Sequence, residues 1–373
     1  MILLLICTGF LLLYAALIFY YRKGWTSYLP PRTSAIAHDI FISVIIPARN
    51  EEKNLAALLY ALEQQSLPHN LFEVIVVDDH STDATSSIAK SFSGLPIQVL
   101  QPPLPAQNSS KKKAIETGVL AARGELIVTT DADCLPGPHW LRSIHELHSA
   151  TNANFIAAPV KFLHNNSLLQ SFQALDFMTL QGITAASVFL DFHTMCNGAN
   201  LAYRKQAFLD VKGYEGIDRV ATGDDMLLMH KIWKLDPAKV FYLKNEETIV
   251  STAPAQSWKE FINQRKRWAS KTFVYDDHRI LAVLVFVYLV NLLFLIVVIA
   301  SFVNPLYWWL AVGFIVVKTL VELPFVWLVA GFYGEKKLLR YFLLCQPLHI
   351  FYTVVVGLLS QAGSYEWKGR RTK

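Results

Sequence analysis

The chain has 373 residues, a net charge of +5, 53% hydrophobic residues and only 17% charged residues. Because a single hydrophobic core stops growing near about 250–300 residues, the length predicts more than one structural unit, and the composition excludes intrinsic disorder, collagen and a coiled coil. Four cysteines without C-x-x-C spacing predict neither a disulfide scaffold nor a metal site, and no stripe of Lys and Arg with interleaved aromatic residues indicates a nucleic-acid partner.

The hydrophobic residues are concentrated at the two ends of the chain. Residues 2–21, 281–303 and 341–361 contain no Asp, Glu, Lys or Arg, and residues 306–333 contain only Lys318 and Glu322. A membrane span needs about 20 apolar residues, so all four runs qualify by length. The first run lacks the basic n-region and the small-residue cleavage site of a signal peptide, so residues 1–21 are expected to remain as an anchor. We predict about three further spans within residues 280–363.

The basic residues beside these runs predict their orientation. Arg22 and Lys23 follow the first run, and three basic residues lie in the short link before the last run. The positive-inside rule then places residues 22–279 in the cytoplasm. Four spans would put the basic tail, residues 364–373, on the other side, whereas a re-entrant last run would keep it inside. We expect an integral membrane protein with four spans.

Lys318 and Glu322 are four residues apart and therefore lie on one face of a predicted helix. Charged side chains in lipid are costly, so we expect them to pair with each other or to face the interior of a helix bundle. The pair is interpreted first as a structural ion pair. The alternative is a polar spot along the path of an acceptor head group.

The middle of the chain alternates predicted strands and helices. In chain order we predict strands at 41–46, 72–77, 96–101 and 125–130. Helices are predicted at 55–62, after a cap at Ser81 or Asp83, and at 111–123. A proline-rich loop is predicted at 101–110. This alternation predicts an α/β fold with a mostly parallel, doubly wound sheet. Ligands of such sheets bind beyond the carboxyl ends of the strands.

Acidic residues follow three of these predicted strands, in the stretches 47–52, 78–83 and 131–133. Asp is common in turns, but three acidic clusters at one sheet edge indicate a hard divalent cation, which carboxylates and substrate phosphates hold together. No G-x-G-x-x-G and no G-x-x-x-x-G-K-[ST] follows any strand, which excludes the usual dinucleotide and P-loop sites. The basic run at 111–113 is either a solvated turn or a phosphate contact.

These motifs together resemble the membrane-anchored, inverting glycosyltransferases of family 2, in the branch of ceramide glucosyltransferases and hyaluronan and cellulose synthases. The matching stretches, in the family's order, are VIIPARNE (44–51), VVDDHSTD (76–83), KKKAIETG (111–118), ARGELIVTTDADC (122–134), NGANLAYR (197–204), GDD (223–225) and QRKRW (264–268). The resemblance implies a GT-A fold, which is Rossmann-like, followed by transmembrane helices.

The resemblance also implies roles for individual residues. Asp225 is the expected catalytic base. The residues expected near the nucleotide sugar are Pro47, Arg49, Glu51, Asp78, Asp79 (at the uracil base), Lys111 and Asp131. Asp133, with Asp131, is expected to bind a divalent metal, Mg²⁺ or Mn²⁺. The residues expected at the diphosphate and the acceptor are Asp224, Gln264, Arg267 and Trp268.

Two of these assignments have structural alternatives, and two positions depart from the family pattern. Asp225 also fits a helix N-cap, and residues 264–268 also fit an amphipathic basic helix at the membrane surface. Asp224 stands where Glu is commoner, and Ser110 stands where Gly is usual.

The implied function is inverting transfer of a sugar from a nucleotide-diphosphate sugar, expected to be a UDP-sugar, to a membrane-associated acceptor. Because the site would be tethered to the bilayer at both ends, we expect a lipid acceptor. A processive polysaccharide synthase, with a partner subunit that supplies an export channel, is the alternative. A membrane scaffold that retains an inactive transferase domain is the alternative from another class.

Overall fold

We describe the fold from a computed structural model. It describes residues 1–28, 40–103, 110–165, 167–218, 223–270, 277–360, 365–367 and 370–372. Most of the loop predicted at 101–110 lies outside these residues. The chain divides into two compact units, which are described separately. The sheet unit contains Tyr28–Leu163 and Thr194–Ala253, and the helical unit contains Met1–Ser27, His164–His193 and Pro254–Lys373.

The described residues form the following elements. The strands are β1 (Ile42–Ala48), β2 (Phe72–Asp78), β3 (Ile97–Leu100), β4 (Leu126–Thr129), β5 (Phe155–Ala157), β6 (Val160–Phe162), β7 (Leu201–Arg204), β8 (Val240–Tyr242), β9 (Val250–Thr252), β10 (Tyr365–Trp367) and β11 (Arg370–Thr372). The helices are α1 (Ile2–Thr26), α2 (Leu55–Glu63), α3 (Thr85–Ser91), α4 (Ser110–Ala121), α5 (Trp140–Thr151), α6 (Leu168–Phe189), α7 (Lys205–Asp210), α8 (Met226–Leu235), α9 (Trp258–Ala269), α10 (His278–Ser301), α11 (Leu306–Phe332) and α12 (Phe342–Leu359).

The sheet unit is built on a seven-stranded sheet with the order β3-β2-β1-β4-β7-β5-β8. The strands β1 to β4 run parallel to one another, as the alternation of strands and helices predicted, whereas β7 runs antiparallel to both β4 and β5. The prediction of a mostly parallel α/β sheet is therefore confirmed. A second, two-stranded parallel sheet pairs β6 with β9.

The sequence explains why β1 and β2 lie inside the sheet rather than at its edge. Both strands are rich in Val and Ile and almost completely buried, which is typical of strands covered on both faces. Their register pairs Ile42 with Phe72 at one end and Ala48 with Asp78 at the other. Helix α4 packs closely on them at Gly118, where a Cβ atom would lie 2.6 Å from a methyl carbon of Ile45.

The order of the strands creates a crevice at the carboxyl ends of β1 and β4. The chain winds from β1 outward to β2 and β3, and it then returns to place β4 on the other side of β1. Neighbouring connections therefore leave the sheet in opposite directions between β1 and β4. Open α/β sheets bind their ligands at such a switch point. A ligand site is therefore expected at the loops that follow β1 and β4.

The helical unit contains α1, α6 and α9 to α12. Four of its segments are long and apolar enough to cross a membrane, namely Ile2–Thr26, His278–Ser301, Leu306–Phe332 and Lys336–Leu359. Strands β10 and β11 form an antiparallel pair within the predicted tail. The two compact units cut the chain at points other than the predicted domain boundaries, since α6 and α9 group with the apolar helices. The division into functional domains stays a prediction.

A buried polar cluster lies among α1, α11 and α12. Lys318 donates a hydrogen bond of 2.6 Å to Glu322 and one of 2.8 Å to Gln346. Glu322 also accepts hydrogen bonds from Tyr14 and from the Gln346 amide. The four side chains are almost fully buried and bond to one another, so the predicted pairing of Lys318 with Glu322 is confirmed.

Candidate active site

The loops that follow β1 and β2 are tied to each other. Nη1 of Arg49 donates a hydrogen bond of 2.6 Å to the backbone oxygen of Asp79 and lies 3.7 Å from its Oδ2 atom. The amide of Asp79 continues the strand ladder with a 2.8 Å bond to the oxygen of Ala48. The sheet thus brings together Arg49 and Asp79, two of the residues that sequence analysis assigned to the nucleotide.

Asn50 reinforces this connection, although sequence analysis gave it no role. It adopts a positive φ of 52°, a conformation that Asn tolerates better than most residues. Its Oδ1 atom accepts a 2.9 Å bond from the amide of Thr82, and its own amide donates a 3.0 Å bond to Ser81. In the sequence, the pattern that could have indicated this role is an Asn after one strand together with a Ser-Thr pair after the next. This pattern is common in loops of every kind, so it does not single out Asn50.

Asp78 and Glu51 are engaged in local structure. Asp78 is buried, and its carboxylate accepts bonds from the Ser81 amide (2.9 Å) and from Gln101 (3.2 Å). Burial alone raises the pKa of Asp78, but these hydrogen bonds outweigh it and hold the pKa below its ordinary value. Glu51 accepts a 2.8 Å bond from the Asn54 amide group. Both carboxylates therefore shape the two loops.

The loop after β4 carries the charged cluster of the site. Nζ of Lys111 lies 2.7 Å from Oδ1 of Asp131 and 2.9 Å from Oδ2 of Asp224. Burial by itself lowers the pKa of this lysine, but the two carboxylates outweigh it and raise the pKa well above its ordinary value. Lys111 is therefore a permanent cation that joins α4, the loop after β4 and the segment before α8.

Asp225, the expected base, lies directly beside this cluster. Its Oδ1 atom accepts a 2.7 Å bond from the amide of Met226, so the predicted N-cap of α8 is confirmed. Its Oδ2 atom accepts a 3.2 Å bond from the amide of Gly198. The two backbone donors fix the orientation of the carboxylate next to Asp224.

Gly198 is a site residue that sequence analysis quoted only as part of a matching stretch. A Cβ atom built on it would lie 3.3 Å from Oδ2 of Asp224, 3.4 Å from Nζ of Lys111 and 3.6 Å from Cβ of Asp225. A side chain at this position would press against the charged cluster. The absence of a side chain is thus part of how the cluster fits together.

Asp133 is exposed at the carboxyl end of β4, two residues beyond Asp131. Within the described ranges, no three His, Cys, Asp or Glu side chains are grouped as a ready-made metal site. Mg²⁺ commonly takes only one or two carboxylates from the protein and its remaining ligands from water and substrate phosphates. The exposed Asp133 carboxylate fits such a partial site, whereas Asp131 has one oxygen committed to Lys111.

Gln264, Arg267 and Trp268 lie on α9 in the helical unit. The helix begins after Ser257, whose hydroxyl caps it by accepting a 3.2 Å bond from the amide of Glu260. All three side chains are half-buried. The ring of Trp268 lies 5.9 Å from that of Phe177, so α9 contacts α6 within this unit.

With this geometry in place, comparison with known proteins defines the class of the domain. Residues 43–211 match the family model described as Glycosyl transferase family 2. This match covers less than half of the chain, and over these residues the chain resembles a family 2 glycosyltransferase domain. The fold is of GT-A type, since the chain is similar to the structure of mannosyltransferase PcManGT from Pyrobaculum calidifontis in complex with GDP-Man and Mn²⁺. That likeness has a TM-score of 0.60 at 19% identity and covers 96% of this chain and 99% of that chain.

Three relatives each match a part of this chain. Glycosyltransferase AglE of Haloferax volcanii is 32% identical over 34% of this chain and 41% of its own length. Probable glycosyltransferase YdaM of Bacillus subtilis is 26% identical over 61% of this chain and 54% of its own length. Dolichyl-phosphate beta-glucosyltransferase of Drosophila melanogaster is 40% identical over 25% of this chain and 30% of its own length. The chain thus spans about half or less of the length of these relatives.

Proposed function

We propose that this chain is an inverting glycosyltransferase that moves a sugar from a nucleotide-diphosphate sugar to a lipid in the membrane. The observation that carries this proposal is the cluster in which Lys111 joins Asp131 to Asp224, immediately beside Asp225. The cluster lies at the carboxyl end of β4, next to the switch point of a GT-A-type sheet. The match of residues 43–211 to the family model described as Glycosyl transferase family 2 supports the same conclusion independently.

The site residues divide into a nucleotide part and a reaction part. Arg49 and Asp79, at the ends of β1 and β2, are proposed to hold the base of the nucleotide. Pro47, Glu51 and Asp78 are proposed to lie near the nucleotide as well. Lys111 is proposed to lie beside the diphosphate while it keeps Asp131 and Asp224 in place. A UDP-sugar is the proposed donor.

Asp225 is proposed to take the proton from a hydroxyl group of the acceptor while the oxygen of that hydroxyl attacks the anomeric carbon of the donor sugar. A base must lie within hydrogen-bonding reach of that proton, and the orientation of Asp225 is fixed by the amides of Met226 and Gly198. The attack comes from the face opposite the diphosphate, so the configuration of the sugar inverts and no covalent sugar–enzyme intermediate is needed.

Asp133 is proposed to hold a divalent cation, Mg²⁺ or Mn²⁺, together with the donor phosphates, while Asp131 contributes through its pairing with Lys111. When bound, such a cation neutralises the charge that develops on the leaving diphosphate. Arg267 is proposed to add bidentate contacts to the same phosphate oxygens. Gln264 and Trp268 are proposed to contact the diphosphate and the acceptor.

The lipid acceptor is supported by two observations. Among the described residues, four segments are long and apolar enough to span a membrane, and one of the relatives is named as a dolichyl-phosphate beta-glucosyltransferase. We propose that these segments anchor the chain in the bilayer, with the site on the cytoplasmic side. A processive synthase that works with a partner subunit would instead yield a polymer.

The experiment uses the full-length chain in lipid vesicles that contain a membrane lipid extract. The vesicles are incubated with Mg²⁺ or Mn²⁺ and with radiolabelled UDP- or GDP-sugars, and the products are separated into organic-soluble and high-mass fractions. The proposal predicts label in the organic-soluble fraction, lost on EDTA treatment. High-mass label would overturn the lipid acceptor in favour of a polymer synthase, and no transfer from any donor would support the scaffold.

A further inference from the structure

We propose that Asp176 and Arg265 are positioning residues for helix α9, and that they hold Trp268 in the orientation needed for transfer. This inference rests on the proposed function, because it assumes that Gln264, Arg267 and Trp268 contact the substrates. Neither Asp176 nor Arg265 was assigned a role from the sequence, and Arg265 occupies a position that the Q-x-x-R-W pattern leaves open.

Arg265 is enclosed by aromatic rings and one carboxylate. Its side chain is 3% exposed, and its Nη2 atom lies 2.8 Å from Oδ2 of Asp176 on α6. Its guanidinium carbon lies 4.2 Å from the centre of the Trp268 ring and 4.9 Å from that of Phe261. The guanidinium therefore lies over the face of the Trp268 ring, where the negative face of the π-system attracts a cation.

Asp176 extends this arrangement to a third helix. Its Oδ1 atom accepts a 2.7 Å bond from the hydroxyl of Tyr352 on α12, and Nε2 of His349 lies 3.7 Å from the same oxygen. One carboxylate thus connects α6, α9 and α12. The indole of Trp268 contacts both Arg265 on its own helix and Phe177, which neighbours Asp176 on α6.

This arrangement explains why a buried ion pair is present within an apolar unit. A well-packed apolar pair could stabilise three helices as well or better, because removing two charges from water is costly. A guanidinium can also fix the plane of a neighbouring indole, which neither an apolar side chain nor the ammonium group of a lysine reproduces. Small displacements of groups that orient a substrate cost large factors in rate.

The test compares Asp176→Asn, Arg265→Lys and the neutral pair Asp176→Asn/Arg265→Gln in the full-length chain. The measurements are the melting temperature and, per folded protein, kcat and KM for donor and acceptor. We expect about a 10- to 100-fold loss of kcat/KM in both single variants. The neutral pair should regain melting temperature, because no unpaired charge is left buried, but it should not regain activity. Recovery of both properties would overturn the positioning role.

Glu322→Gln serves as the matched control. It neutralises a buried carboxylate of the same unit that pairs with Lys318 rather than with α9, so we expect a lower melting temperature and a kcat/KM within about twofold of the wild type. An equal loss of activity in this control would show that any buried charge of the unit matters, and it would overturn the specific role of Asp176.

Hydrogen–deuterium exchange separates this inference from the proposed function. In Asp176→Asn, the peptide that covers α9 should exchange at least about tenfold faster than in the wild type, whereas Glu322→Gln should leave it unchanged. Unchanged exchange of α9 in Asp176→Asn would overturn the inference even if the chain is an active transferase. An inactive wild type would overturn the proposed function whatever the exchange shows.

Discussion

Replacing Lys111 with methionine removes the cation that holds the site together. Methionine keeps much of the length and the apolar part of the side chain, but the carboxylates of Asp131 and Asp224 lose the ammonium group that now lies 2.7 and 2.9 Å from them. The two like charges then face each other without compensation. We expect the segment that carries Asp224 and Asp225 to move away from the loop after β4.

The size of the effect follows from how far the three side chains are exposed. The side chains of Lys111, Asp224 and Asp131 are 20%, 12% and 36% exposed. An exposed pair contributes about 0–1 kcal/mol to stability, whereas removing one partner of a fully buried pair costs about 3–5 kcal/mol. This cluster lies between these limits, so we expect a loss of about 2 kcal/mol. For a unit of this size that corresponds to a drop of about 4–8 °C in melting temperature.

The control is Lys113→Met, two residues away on the same helix. Lys113 is 42% exposed and pairs with Glu116 one turn along, so its replacement should cost less than about 0.5 kcal/mol. The assay is thermal unfolding together with the rate of sugar transfer, which we expect to fall about 100-fold in Lys111→Met only. Equal losses of stability and transfer rate in the two variants would show that Lys111 does not hold the cluster together.

The difference in stability between the wild type and Lys111→Met depends on pH in a direction that follows from the pKa of Lys111. Because folding raises this pKa, the contribution of Lys111 to stability is fully present below the ordinary lysine pKa of about 10.4. It is lost only as the pH rises through the raised value. The difference in stability between the wild type and Lys111→Met should therefore be constant from about pH 6 to pH 9. A difference that changes across this interval would contradict the assignment.

Three further predictions test other parts of the site and fold. Asp225→Asn should lower the transfer rate at least about 100-fold and leave the melting temperature nearly unchanged, because Asn caps a helix as well as Asp does; a large drop in melting temperature would contradict this. Gly198→Ala should cost about 1 kcal/mol in thermal unfolding and slow transfer, since its methyl group would press against Asp224 and Lys111; wild-type stability and rate would show that the contact is relieved freely. Burial, with the nearby positive charge of Arg204, lowers the pKa of His148 to about 4. The free energy of unfolding should therefore rise by about 3 kcal/mol between pH 4 and pH 6.5, and His148→Gln should reduce that rise. An unchanged pH dependence in His148→Gln would contradict this prediction.

The first half of the sheet could be predicted from the sequence because its signals are local. The strands β1, β2 and β4 are short apolar runs followed by acidic loops, and all three were placed to within two residues at either end. The prediction that Asp225 caps α8 is also confirmed, because a cap depends only on its immediate neighbours.

The antiparallel β7 and the short strands β5 and β8 could not be predicted in the same way. Each has three or four residues, and unlike the equally short β4, none is followed directly by an acidic loop that marks its end. The partner of each strand is selected by tertiary packing.

The sequence could not predict which side chains of the site pair with each other when they are far apart in the chain. Nothing in the run Lys111–Lys113 shows that the first lysine contacts Asp131 and Asp224 while the second donates a 2.6 Å bond to the backbone oxygen of Ile217. Which of these identical residues faces the site depends on the direction in which helix α4 turns as it packs on the sheet. The same limitation applies to Asp78 and Asp79, which face different surroundings on adjacent positions.

We propose that Asp225 acts on an acceptor at a nucleotide-sugar site. The most direct test measures donor binding and sugar transfer side by side in wild-type and Asp225→Asn chains in lipid vesicles. The account predicts that both chains bind the donor with similar affinity, that only the wild type transfers the sugar, and that the product has the inverted anomeric configuration by NMR. Transfer at the wild-type rate by Asp225→Asn, or a product with retained configuration, would contradict it.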